Sequence, residues 1–189
     1  MTKRVVITGM GIISPIGNDV PTFWKNLIDG VCGIDYIHDF PTDGLPVKIA
    51  GKIKDFHPEE HGMDKAFGRK QDRFTQYGVA AAYEAMNQAG LVSEGEGQNI
   101  DPFRLGVYVG SGIGGFEIQY RETAKMIEDP TGQWISPLFI PTMISNIAAG
   151  HIAIKHQAKG PCIDVVTACA TSTNNIGEAF RAIRHGYAD

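Results

Sequence analysis

Asp164–Gly186, DVVTACATSTNNIGEAFRAIRHG, is the stretch of this chain best suited to chemistry. A β-branched apolar run ends at Thr167-Ala168, a cysteine follows at 169, and an amphipathic pattern begins at once. A thiol just past the carboxyl end of a strand lies where open α/β sheets place their sites. The first turn of the following helix would carry partial positive charge, which favours a thiolate by up to about 2 kcal/mol. Backbone N–H groups at the same turn can also hold an oxyanion formed when sulfur attacks a carbonyl. The small neighbours of Cys169 (Ala, Thr and Ser) leave room for a substrate. Cysteine is also among the most buried residue types, so Cys169 reads either as a nucleophile or as an inert buried thiol. Cys162, inside the apolar run, and Cys32, beside Gly30, read as inert.

The elements that must position this cysteine follow from periodicity and punctuation. KRVVITG at 3–9, RLGVYVGS at 104–111 and PCIDVVTA at 161–168 read as buried strands, and VKIAGKI at 47–53 as an edge strand. Pro21 suits the first turn of a helix that Gly30 stops. The pattern predicts a helix over 69–90, with Phe74, Tyr77, Ala81 and Ala85 on one face and Gly90 as its end. Further helices are expected over 116–129, over 142–157, whose small residues suit close packing, and over 171–186. In the last, Ile176, Ala179, Phe180 and Ile183 share a face, and Thr171, Ser172 or Thr173 can cap the start. Strands alternating with helices argue an α/β fold with a largely parallel central sheet, in one domain over 1–189.

Composition narrows the function classes. With 43% hydrophobic and 20% charged residues the chain is that of a soluble globular protein with a real core. A net charge of −4 gives no footprint for nucleic acid. No apolar run reaches membrane-spanning length, and the start enters a strand directly, so a cytoplasmic protein without a signal peptide is expected. Three cysteines without CxxC spacing make neither a disulfide framework nor a zinc site, and no metal or cofactor is expected. Gly110, Gly112 and Gly115 satisfy GxGxxG. A dinucleotide site would need a second strand ending in an acidic residue about 20 residues on. That region is the Pro-broken DPTGQWISPLFIP, which argues against nucleotide binding.

The segment GPCIDVVTACATSTNNIG resembles the active-site segment of the β-ketoacyl-[acyl-carrier-protein] synthases. RVVITGMGIISPIGN, GSGIGG at 110–115, ISPLFIPTMISNIAAGHIA and HGYAD extend the resemblance over almost the whole chain, nearest to the elongating synthase II type. It implies a thiolase-like fold, in which two similar halves build a five-layered α-β-α-β-α homodimer, with this chain as the amino-terminal half. Cys169 would take the acyl chain from acyl carrier protein. Malonyl-carrier protein would then lose carbon dioxide and attack the cysteine thioester, giving a 3-ketoacyl chain two carbons longer. The Cys169 N–H would be one oxyanion donor. Ile113 matches the bottom of the acyl pocket, and Phe139, Ile140, Thr142 and Met143 match the segment reaching the dimer interface and the partner's pocket. Lys65, Arg69, Lys70 and Arg73 match a basic patch for the acidic carrier protein, and the same run also reads as a solvated helix flank. Gln133 and Trp134 stand where family members carry basic residues before ISP.

The resemblance assigns two catalytic histidines, a lysine and the second oxyanion donor to a carboxyl-terminal half. His38, His57, His61, His151, His156 and His185 do not occupy those motifs, and His151 lies in an alanine-rich helix. A half of this kind should expose a broad apolar face and behave poorly as a monomer. The alternative within the same fold is a non-catalytic partner subunit or assembly half, and such partners lack the cysteine.

Overall fold

The computed structural model describes residues 3–189. Helix α1, Val20–Ile28, starts where Asp19 accepts a hydrogen bond from the Thr22 N–H at 2.7 Å, with Pro21 in its first turn. Strands β1, Ile34–Tyr36, and β2, Ile49–Gly51, pair antiparallel as an outlying ribbon. The helix expected over 69–90 is two: α2, Lys65–Lys70, and α3, Arg73–Ala89. Asp72 makes the break. Its carboxylate accepts from the Phe74 N–H at 3.3 Å and so caps α3, while Gln71 is extended. Gly90, at φ 65°, ends α3 in the left-handed conformation that favours glycine.

Strand β3, Val107–Tyr108, runs parallel to β4, Cys162–Ile163, with Val107 opposite Cys162. Between them come α4, Phe116–Glu128; α5, Phe139–Met143; and α6, Ile147–Lys155. Helix α7, Thr171–His185, closes on Gly186. The core joins Met63, Val79, Ala80, Val107, Ala149 and Ile152 where α3 crosses α6. Alanines at 80, 148 and 149 and glycine at 78 let the two helices approach closely, as the small-residue pattern predicts.

Four expectations are corrected. KRVVITG is not a buried strand: Ile7 is 84% exposed, and no ladder includes residues 3–9. The chain just beyond it is held by α3 side chains, with Gln88 accepting from the Met10 N–H at 2.6 Å and Glu84 from the Ile12 N–H at 3.0 Å. Gly9 and Gly11 lie directly on the backbone of α3 at Ala85 and Ala81, so that face of α3 receives the N-terminal segment. The deepest positions of α3 are instead Thr75, Gln76, Val79 and Ala80. The other two strands are also shorter than expected, because beyond Ile163 the backbone bonds to α7 rather than to a neighbouring strand. Finally, α7 turns Thr171, Asn175 and Ala182 inward and leaves Ile176 70% exposed and Phe180 exposed.

The accessible surface is 12233 Å². A compact monomer of this mass would show about 8,900 Å². The excess lies in apolar faces such as that of α7. Val79, 1% exposed, is the test of the core as drawn. Val79→Ala should cost about 2 kcal/mol in urea denaturation, and Ile127→Ala at the exposed surface less than about 0.5 kcal/mol.

Candidate active site

Cys169 sits in a single 3-10 turn, Ala168–Ala170, between the β4 segment and α7. Ala168 has φ 51°, a left-handed backbone that a residue with a Cβ rarely adopts. The Ala170 N–H donates to the Thr167 carbonyl at 3.0 Å, and the Thr171 N–H to that of Ala168. The N–H of Cys169 has no acceptor among the described residues. Cys169 is exposed in this chain. Cys32 and Cys162 are exposed as well, so burial does not account for them. Desolvation by the atoms around it pushes the Cys162 thiol up, away from thiolate.

No Ser or Thr side chain caps α7, contrary to expectation. The 3-10 turn enters the helix directly and Ala170 occupies the cap position. The Thr171 hydroxyl instead reaches backward and accepts from the Thr167 N–H at 2.9 Å.

Gly110–Gly115 lies against this turn. A Cβ on Gly112 would stand 3.1 Å from the Ala168 carbonyl oxygen, and one on Gly110 would strike Asp164 and Asn175. Two of the loop's N–H groups are engaged within the protein: Gly115 donates to the Met143 carbonyl at 2.7 Å and Gly114 to the Ser111 hydroxyl at 2.9 Å. These glycines serve close packing against the Cys169 turn and α5. Ile113 projects from the loop, 73% exposed.

Helix α5 follows the loop on its other side. Ile140 is exposed, Phe139 and Met143 are half-buried, and Thr142 is buried with its hydroxyl donating to the Leu138 carbonyl at 2.7 Å. The loop thus joins Ile113, Cys169 and the Phe139–Met143 segment into one region. His151 is elsewhere, edge-on to Phe67 with ring centroids 4.9 Å apart.

Arg69, Lys70 and Arg73 line a separate cavity of about 280 Å³ with Gln71, Asp72, Glu117 and Arg121. Lys65, one turn earlier on α2, is exposed outside that lining. Arg73 lies 3.7 Å from Glu117. Arg121 is a cation that sequence reading missed, because it belongs to α4 and only the fold brings it beside α2. Asp72 ties the two together, accepting from the Ile118 N–H at 3.0 Å.

The family model for the beta-ketoacyl synthase N-terminal domain matches residues 2–189. The chain belongs to that family. The 3-oxoacyl-[acyl-carrier-protein] synthase 2 of Staphylococcus aureus (strain COL) is 47% identical over 188 residues, covering 99% of this chain and 44% of that protein. The synthase 2 of Vibrio cholerae is 42% identical over 187 residues. The chain spans about half the length of these curated relatives. A type II polyketide ketosynthase solved with its acyl carrier protein superposes with TM-score 0.81 at 27% identity, covering all of this chain and 50% of that one. The ishigamide ketosynthase/chain length factor superposes with TM-score 0.86 at 26% identity, covering all of this chain and 46% of that one. The β-ketoacyl synthase fold is thiolase-like, and the expected fold class holds.

In this ketosynthase domain Glu122, next to Arg121 of that cavity, ties α4 to the segment leading into α5. Its side chain is 2% exposed, accepts from Lys125 at 2.8 Å and from the Ser136 N–H at 2.9 Å, and lies 3.4 Å from Arg121. Lys125 first, then the Ser136 amide, hold the carboxyl below the ordinary glutamate range against burial. A lowered folded-state value gives stability that is complete above the unfolded value, near pH 4.3, and is lost as pH falls through the folded value. The stability gap between wild type and Glu122→Gln should be constant above about pH 5 and close in more acidic buffer. Urea midpoints measured over that range check it.

Proposed function

We propose that this chain is the nucleophile-bearing half of a 3-oxoacyl-[acyl-carrier-protein] synthase. The observation that carries this is Cys169, exposed on a strained turn at the head of α7 with its own N–H unpaired, in a chain 47% identical to synthases of that name. The thiolate attacks the acyl thioester of acyl carrier protein; the Sγ–acyl bond forms, the carrier C–S bond breaks, and the carrier leaves as its thiol. The Cys169 N–H donates to the oxyanion in that step. Malonyl-carrier protein then loses carbon dioxide, its enolate attacks the acyl carbon, and the Cys169 C–S bond breaks to release 3-ketoacyl-carrier protein. Ile113, Phe139, Ile140, Thr142 and Met143 contribute to the acyl pocket. Lys65, Arg69, Lys70 and Arg73 contact the carrier protein.

The surface excess of about 3,400 Å² is more than one large obligate interface takes from one partner. This supports cover by two bodies: a carboxyl-terminal half of the same fold and a second copy in a homodimer. The groups that polarise the malonyl thioester belong to that other half. Among the described residues no helix is long and apolar enough to cross a membrane, and the reading places the enzyme in the cytoplasm.

Incubation of the purified chain with octanoyl-carrier protein should place one acyl group on Cys169 by peptide mass spectrometry, with none on Cys32 or Cys162, and Cys169→Ala should abolish it. Acylation spread over all three cysteines would sink the reading. With malonyl-carrier protein added, 3-ketoacyl product should form only when a carboxyl-terminal half is supplied. Arg69→Glu with Lys70→Glu should weaken carrier binding roughly tenfold at low salt, and less at high salt.

A further inference from the structure

Two polar side chains beside the nucleophile are buried and fully engaged, although neither belongs to the reaction described above. Asn175 is 2% exposed and Thr171 4%. The Asn175 side chain accepts from the Val165 N–H at 3.1 Å and donates to the Val165 carbonyl and to the Thr171 carbonyl, each at 2.9 Å. The Thr171 hydroxyl accepts from the Thr167 N–H at 2.9 Å, and Asn174 donates to the Thr167 hydroxyl. Except for the bond from Asn175 to the Thr171 carbonyl, which lies within α7, these bonds run from the first turns of α7 back across Ala168–Cys169 to the segment that leads into it.

The geometry has a reason. Beyond Ile163 the chain leaves its strand partner, so the amides of Val165 and Thr167 need acceptors, which the first turns of α7 provide. Ala168 at φ 51° is strained backbone for a residue with a Cβ and persists only where its surroundings over-determine it. The bonds at 165 and 167 do so from one side, and Gly112 packs on the Ala168 carbonyl from another. On the reading that Cys169 is the acyl nucleophile, we infer that Thr171 and Asn175 are positioning residues: a two-residue clamp that holds the strained turn so that the sulfur stays at the head of α7. Without it Ala168 relaxes toward ordinary backbone and the sulfur leaves the favourable end of the helix.

Thr171→Val keeps shape and removes only the hydroxyl acceptor, so it tests the clamp with least risk to folding; Asn175→Asp, which loses both donations, is the second variant. The readout is the rate of iodoacetamide alkylation at each cysteine of the intact chain at pH 7, followed by peptide mass spectrometry, with circular dichroism reporting folding. Wild-type Cys169 should react faster than Cys32 and Cys162. Thr171→Val and Asn175→Asp should slow Cys169 roughly fivefold while Cys32 and Cys162 keep their rates. Thr171→Ser, which retains the hydroxyl, should restore it. Unchanged Cys169 rates in both variants would overturn the clamp and leave the nucleophile reading standing. A change shared by all three cysteines would also overturn it, since that is general loosening. A wild-type Cys169 no faster than Cys32 would overturn both.

Discussion

The close approach of one glycine loop to three other backbones holds this site together. Gly110 lies against Asp164 and Asn175, Gly112 against Ala168, and Gly114 and Gly115 against Met143 and Thr142. A methyl group at Gly114 or Gly115 would meet the backbone of Thr142 and Met143, where no rotamer change could relieve the clash, and one at Gly110 would strike the side chains of Asp164 and Asn175. The loop therefore sets where the strand end, the Cys169 turn and α5 stand relative to one another. Such a loop loses much entropy on ordering. Ser111, which accepts from the Gly114 N–H, and Met143, which accepts from that of Gly115, offset part of that cost.

The same loop shows why a motif is weaker evidence than its surroundings. GxGxxG after a strand and before a helix satisfies the pattern of a phosphate cradle, yet here its glycines pack against the Cys169 turn and α5. Local signals were legible where local physics decides. The left-handed ends at Gly90 and Gly186, the start of α1 at Asp19 and Pro21, and the cysteine beyond a strand end all follow from a few neighbouring residues. The break at Asp72 was legible too, since an aspartate before an apolar run is a cap, but the long periodic pattern masked it.

Positions decided by tertiary structure were not legible. Periodicity identifies an apolar face on α7 but not whether this chain covers it, and the structure leaves Ile176 and Phe180 outside while packing Thr171, Asn175 and Ala182. Buried polar residues give no periodic signal at all. Asn175 sits among TSTNN as one candidate of several, and its selection depends on the Val165 amide and carbonyl that only the fold presents to it. Arg121 was invisible for the same reason: α4 and α2 are far apart in sequence, and Asp72 joins them.

A carrier-binding role for the basic residues must also be reconciled with a chain whose net charge is −4. Long-range attraction of an acidic partner is then unavailable, and at physiological salt exposed charges act over only about 8 Å. What counts is charge within that reach. Around the cavity at the end of α2 Arg73 faces Glu117, while Arg121 and Lys125 share the buried Glu122, so these cations are already partly compensated. Arg69 and Lys70 line the same cavity, and among the described residues neither has a carboxylate within salt-bridge distance. The locally effective positive charge therefore concentrates at the end of α2, a few residues from the Asp72 cap that fixes α3 against α4. Through Asp72 the end of α2 shares one rigid support with α4, Gly115 and α5, the elements that pack beside the Cys169 turn.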